Sequence, residues 1–501
     1  MRRLITLSLL ALLIGLTGYQ ASASTERTSS ATVSGIGDQL GASAYPTGTW
    51  NSGIQVQNPT TSSATVQVKF YDINGLLVFT TTPPTTIVAG GSATYYLPDA
   101  AFASLPNGKY SGVVESDQAV VAVVNETNDI STGLKGLADS YNGIASGGLT
   151  STMPLVFRAR NNVDSMVAVQ NTDSSTTANV TLNFYTTGQS AVKYSKTDTI
   201  PALATHTYDL SSDAFSTLGS GWVGSLVVTS NTNVAAVAHS VRSTATGELS
   251  IYRGFSAGST KYFAPLVFNE WTGGTSNDAI SGIQVQNLGS TADTVTMIYS
   301  VAGGGSGTYT CSGPLSGSSS LTFYMPNLPD TGAGITCNSA VPVGNYGSVV
   351  IQAGSNQVAV VVNNNSAGRA TASAYNAFVD GAGSTRVVVP LVYIDRGGYS
   401  TGIQVQNVGT AADTLTMVFR PTNQSAVPGA AASYTVPCTI AGGSTSVPAG
   451  QACTFGPGYS SIPSGLYGTA DITSTSQKII AVINTTQYTN QTMMTYTGIN
   501  P

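Results

Sequence analysis

A six-residue phrase repeats along this chain and limits what it can fold into. GIQVQN stands at Gly53–Asn58 and recurs letter for letter at Gly282–Asn287 and Gly402–Asn407; a worn copy, MVAVQN, occupies Met166–Asn171. The closing residues Asn58, Asn171, Asn287 and Asn407 are 113, 116 and 120 residues apart. A second marker keeps step at Tyr141 (YNG), Tyr252 (YRG), Tyr375 (YNA) and Tyr496 (YTG), with intervals of 111, 123 and 121. A third, PLV, begins at Pro154, Pro265 and Pro390. Independent markers with one period imply a unit of about 115 residues used four times in tandem.

Inside a unit the apolar period is two. Ile54 and Val56 alternate with Gln55 and Gln57, the pattern of a strand with one dry and one wet face. The third unit reads as seven strands: Leu266–Phe268, Ile283–Gln286, Thr294–Tyr299, Leu321–Tyr324, Tyr346–Gln352, Val358–Val362 and Ala374–Phe378. Clusters of Gly, Pro, Asn and Ser separate them as turns require. Val358–Val362 is apolar without a break, as expected of a central strand covered on both faces. The fold class predicted is all-β: four tandem antiparallel β-sandwich modules of immunoglobulin-like type, about seven strands each, with a jelly roll as the alternative. The modules are placed at 24–146 (with an N-terminal arm), 147–257, 258–381 and 382–501.

The repeated GIQVQN, the PLVF starts and the AVVVN and YNG endings resemble the tandem immunoglobulin-like modules of secreted bacterial surface proteins. Similar phrases belong to uncharacterised exported repeat proteins of filamentous, Chloroflexus-like bacteria. The resemblance implies an extracellular, envelope-associated role and carries no catalytic residues over.

Residues 1–23 read as a cleaved signal peptide: Arg2 and Arg3, an apolar stretch from Leu4 to Leu16, then Ala21-Ser22-Ala23. That stretch is shorter than the ~20 residues a membrane span needs, so the mature chain is expected outside the cytoplasmic membrane with no span of its own. Composition narrows the function. With 18 Lys and Arg against 23 Asp and Glu, 8% charged residues and two histidines, the chain lacks the means to neutralise a run of phosphates. Nucleic-acid binding is excluded and an enzyme is not expected. Leu328-Pro329-Asp330-Thr331-Gly332 matches a sortase signal, but 169 residues follow it, so it reads as a turn. Gly398-Tyr399-Ser400-Thr401-Gly402 matches a nucleophile elbow but leads into a strand rather than a helix.

Four cysteines fall in the last two units at equivalent places, which pairs Cys311 with Cys337 and Cys438 with Cys453 as disulfides. His239 takes the place of Asn125, Asn363 and Asn484 at a strand end, and His206 a place like that of Thr94; both read as solvated or hydrogen-bonded residues. No cofactor is expected beyond a weak calcium candidate at Asn269, Glu270, Asn277 and Asp278, with Asn161, Asn162 and Asp164 as its counterpart. Trp50, Trp271 and Tyr399 share one loop position, either as sugar-stacking aromatics or as plugs of the sandwich core. The pairs Gln55/Gln57, Gln284/Gln286 and Gln404/Gln406 are expected to point outward as a neutral face suited to lateral packing. No PLVF run precedes the first GIQVQN. Either Ala31–Ile36 is a degenerate first strand of its own unit, or that edge is open to strand addition by a donor arm at residues 24–40.

These features describe an extracellular structural or adhesive repeat protein of the cell surface, shaped as a rod on the order of 150 Å long. Its partners would be itself or other envelope proteins, with fibres or a surface layer formed by strand addition. An array of carbohydrate-binding modules acting on glycans is the alternative.

Overall fold

A computed structural model describes residues 31–36, 49–129, 137–242, 248–271, 279–303, 306–366, 371–440, 443–456, 461–487 and 492–500. The signal peptide, most of the proposed donor arm, Asn277 and Asp278 lie outside them. The fold is all-β and antiparallel, with only short 3-10 turns as helix among the described residues.

The sheets fall into four consecutive groups along the chain. In each group the outer sheet runs first strand, YG-type strand, a third strand, then a fourth toward the margin. In unit three these are Lys261–Asn269, Asn345–Ala353, Asp293–Gly303 and Thr308–Leu315. The inner sheet centres on the GIQVQN strand, Ala279–Asn287, between Ser320–Tyr324 and Val358–Ser366, with Thr371–Asn376 beyond. Unit two differs in one respect: the 21-residue strand Trp222–Arg242 serves both layers and joins them into one seven-stranded sheet. Thr308–Leu315 was not among the seven runs read from the sequence; Gly313 and Pro314 break its pattern, and it lies toward the margin of its sheet, where proline is tolerated.

The markers have distinct mechanical roles. Each closing asparagine is buried and ties the two layers together. The Asn58 amide donates to the Ser62 and Ile87 carbonyls (2.7 and 2.9 Å) while its oxygen accepts from Thr60 N (3.0 Å). Asn407 repeats the set with Ala411, Val447 and Gly409. No other side chain of this length supplies two donors and an acceptor at once. The PLV phrase is a β-bulge: register shifts fall between Met153 and Val156, Ala264 and Val267, and Val389 and Val392. The marker tyrosine fills the gap each bulge leaves. Tyr252 Oη donates to Leu155 O (2.6 Å) and accepts from Leu155 N (3.1 Å), and Tyr375 does the same at Leu266.

Ala31–Ile36 pairs with Lys109–Ser116 in its own unit and places Val33 opposite Gly112, as Val156 stands opposite Gly224 and Val267 opposite Gly347. It is the first strand of unit one, without the proline bulge. The donor-arm expectation is thereby answered in this chain: the place is filled in cis.

Two expectations are overturned. The units do not string into a rod but close into a ring. The last strands of the four units, Leu137–Asn142, Glu248–Arg253, Thr371–Asn376 and Thr492–Thr497, pack around a common axis, each against the next, and the fourth against the first. One position carries the closure: Val237 joins the core of unit one, Val361 that of unit two, Val482 that of unit three and Val123 that of unit four. Each valine lies two residues before Asn125, His239, Asn363 or Asn484. Burying one contributes about 1.5–3 kcal/mol.

The second correction follows from the first. Gln55, Gln57, Gln284, Gln286, Gln404 and Gln406 do not face solvent; they are buried, because this sheet face is covered by the outer sheet of the preceding unit. The first glutamine of each pair is bonded to the neighbouring strand, as Thr94 Oγ1 donates to Gln55 Oε1 (2.5 Å) and Thr322 Oγ1 to Gln284 Oε1. A strand whose uncharged polar face is dry on both sides reads in sequence like one whose polar face is wet.

Candidate functional site

At the ring axis one residue serves all four units. Asp139 is fully buried. Its Oδ1 accepts from Ser140 N (2.8 Å) and Thr495 N (2.9 Å), and its Oδ2 from Ile251 N (2.6 Å) and Ala374 N (3.2 Å). These four donors are the residues just before the four marker tyrosines. Burial pushes the Asp139 carboxyl well above the ordinary carboxylate range, while the four N–H groups pull it back down.

Around this hub, two asparagines imitate a strand partner. Asn142 Nδ2 donates to Thr497 O (2.6 Å) and Asn142 Oδ1 accepts from Thr497 N (2.9 Å). Asn376 grips Arg253 in the same way, at 2.6 and 3.0 Å. Thr495 Oγ1 donates to Ser373 Oγ (2.7 Å) across the seam of units three and four. At the seam of units one and two, His239 Nε2 lies 3.2 Å from Glu126 Oε2, both fully buried, with the Tyr141 ring edge-on to the imidazole. Of the two readings for His239, solvated or hydrogen-bonded, the second holds: it is a buried, hydrogen-bonded seam residue. Burial, with the Glu126 charge beside it, holds the Tyr141 phenol well above its ordinary value.

The sequence candidates are scattered. Trp50 is buried in the core of unit one. Trp271 packs on the core of unit three, its ring 5.0 Å from Tyr346, and Tyr399 lies 5.5 Å from Tyr393. Trp50 and Trp271 pack on the cores of their units, whereas Tyr399 is half-buried beside Tyr393. Asn161 and Asn162, both at positive φ, form a two-residue hairpin turn between Arg160 and Val163; Gly397 and Gly398 make the equivalent turn between Arg396 and Tyr399. That second turn accounts for the apparent nucleophile elbow, whose Ser400 lies in a strand. Asp164 accepts from Ala159 N (2.7 Å), and Asn269 is buried with its amide on Pro342 O (2.7 Å). Glu270 sits in a bend at positive φ. The disulfides pair as expected, Cys311 with Cys337 and Cys438 with Cys453.

The sequence reading missed a cleft of about 600 Å³ between units one and two. Unit one contributes Asp72, Ile73, Lys109 and Tyr110; unit two contributes Lys196, Asp198 and the stretch from Thr205 to Asp209. His206 Nδ1 lies 3.0 Å from Asp198 Oδ2, to which Tyr208 Oη also donates (2.9 Å). Burial would raise the Asp198 carboxyl, but the bonds from His206, Thr199 N and Tyr208 together take it below its ordinary value. The Lys109 ammonium is lowered by burial against the opposing pull of Asp209. The register sets His206 against Val169, as Ala93 stands against Val56, so its counterpart is Ala93 rather than Thr94. The signal that could have located the cleft is the worn repeat itself. Ala168, which lines it, stands where the intact copies have Gln55, Gln284 and Gln404.

Comparison with protein-family models and with curated proteins finds no match to this chain. The functional reading therefore rests on the geometry alone.

Proposed function

We propose that this chain is an extracellular structural or adhesive protein of the cell envelope or matrix, a four-unit block that joins further copies of itself through unit one. The observation that carries this reading is the outer edge of that unit. Leu77–Thr80 ends its sheet, and Leu77 and Val78 are exposed on it. Ile73 and Leu76 are exposed in the turn beside them, so four of the eleven exposed large apolar side chains among the described residues gather here. An uncharged, apolar edge strand is a template for strand addition, and soluble monomers normally guard such an edge. The other units guard theirs: unit two places Lys193 and Lys196 on its edge strand, and units three and four close theirs with disulfides. The disulfides also fit an oxidising compartment, and no helix of the described residues is long and apolar enough to cross a membrane.

The carbohydrate-array reading loses Trp50, whose ring is buried in the core of unit one, while Trp271 and Tyr399 are half-buried. Light scattering of the secreted chain over a concentration series, with electron microscopy of the same samples, tests the proposal. Concentration-dependent oligomers that vanish in Leu77→Lys and Val78→Lys are the expected result. A wild-type chain that stays monomeric throughout would overturn it.

A further inference from the structure

We infer that the cleft between units one and two binds a neutral short oligosaccharide. Three observations lead there. The first is how the cavity arises. In units one, three and four the first glutamine of GIQVQN reaches across the inner sheet face to a threonine of the adjoining strand, Thr94, Thr322 or Thr454. Unit two has Ala168 there, paired in register with Thr207. The missing side chain opens space on a face that is filled elsewhere, and the volume falls within the roughly 300–1,000 Å³ of small-molecule sites.

The second observation is the donor set. The carboxylates are already engaged: Asp198 with His206 and Tyr208, Asp209 with Ser211 N (2.9 Å), and Asp72 with the amides of Asn74 and Leu76 (2.8 and 2.9 Å). Lys109 and Lys196 form no salt bridge among the described residues, and Lys109 Nζ reaches only Thr207 Oγ1, at 3.4 Å. Two ammonium groups against three carboxylates leave the walls near balance, which favours a ligand without net charge. Donors (Lys109, Lys196) and acceptors (Asp72, Asp198, Asp209) both line those walls, so the ligand should itself be rich in groups that both give and take hydrogen bonds. Hydroxyls do both.

The third is the apolar part of the wall. Ile73, Tyr110 and Phe215 line the same cleft, and a sugar ring offers the matching combination of an apolar face and a polar rim. Because the walls come from two units, the site exists only while units one and two stay docked.

The test is a glycan array followed by calorimetric titration of the full secreted chain. The probes are short neutral oligomers of glucose, xylose and N-acetylglucosamine, with uronic-acid oligomers beside them. The variant Ala168→Gln restores the residue that the other three units carry and fills the cleft. Binding of neutral oligomers by the wild type, lost in Ala168→Gln without a change in melting temperature, is the expected result. Should that variant melt early, Lys196→Ala on the cleft wall replaces it, again with loss of binding expected. No binding, binding of uronates alone, or binding indifferent to both variants would overturn the inference. This outcome is separate from self-association, which Leu77→Lys removes and Ala168→Gln leaves intact.

Discussion

The first two units and the last two share one strand plan but finish it differently. In units three and four the outer edge is closed covalently. Cys311 ties the edge strand to Cys337 in an added short strand, while Cys438 crosses from the outer sheet to Cys453 in the inner one. In units one and two there is no bridge, and here lie the bare apolar edge, the open cleft and both histidines. What stays constant across all four is what closes a unit or the ring: the layer-tying asparagine, the tyrosine, and the valine inserted into the core of the preceding unit. Copies of a repeat diverge where a surface is not needed for closure, and the divergent half is where a partner or ligand finds something to hold.

Asp139 is the sharpest way to break that comparison, because a residue of unit one organises the other three. Asp139→Ala strands four buried N–H groups, each worth about 1–3 kcal/mol when left unpaired. The expected outcome is a loss of several kcal/mol together with opening of the ring, read as a fall in melting temperature and a rise in radius of gyration by small-angle scattering. If only unit one were destabilised, with the ring dimensions unchanged, the axial role would be wrong. Asp139→Asn should be intermediate, since an amide can accept on one side only and must turn its NH₂ toward two of the same donors.

Much of the fold was legible because period-two strands and repeated turn residues are local properties. The GIQVQN and AVVVN strands and the disulfide pairing follow from spacing and pattern, whereas the place of Ala31–Ile36 is open until its pairing is seen. The ring was not legible. Alternation says that Gln284 and Ile283 face opposite ways, but it does not say what covers the glutamine face. Tandem order suits a rod and a ring equally. Asp139 left no mark because it occurs in one copy only, where an acid before a YNG turn is unremarkable. The cleft did leave a mark, the worn MVAVQN, which reads as decay until Ala168 is found lining a cavity.

Next in size are the disulfides, which belong to one half alone. Their loops span 26 and 15 residues, so reduction or a Cys→Ser pair should cost about 3 kcal/mol at each bridge in the chain-entropy model. Calorimetry under reducing conditions separates two possibilities. A ring that melts as one body shifts its whole transition, whereas independent units would show a low-melting shoulder from the last two only. The seam contacts lead us to expect a single shifted transition. The asparagine ties test the opposite property, sameness across halves. Asn58→Ala and Asn407→Ala each leave two carbonyls and one N–H without their partner, and each should lose about 2 kcal/mol. A marked inequality between them would show that one half leans harder on its layer tie.

The smallest effect is set by pH and is read most directly at one matched pair of aspartates in units three and four. Asp293 and Asp413 occupy the same place in units three and four and receive the amides of a hairpin turn, Ser355 and Asn356 for the first, Ser476 and Gln477 for the second. Burial works against both carboxylates, yet these bonds, joined at Asp413 by the larger pull of the Ser474 and Thr475 hydroxyls, hold each below its ordinary value. A folded value lower than the unfolded one, about 3.9 for aspartate, means that the stabilisation is complete above that pH and fades as acid drives protons onto the folded carboxylates. Units three and four should therefore soften below about pH 4. Hydrogen exchange at the amides of Ser355, Asn356, Ser476 and Gln477, corrected for the intrinsic pH dependence, reads this directly. Protection should fall with acid in the wild type. In Asp293→Asn and Asp413→Asn it should start lower and stay flat over the same range. Equal acid sensitivity in wild type and variants would place the titrating group elsewhere.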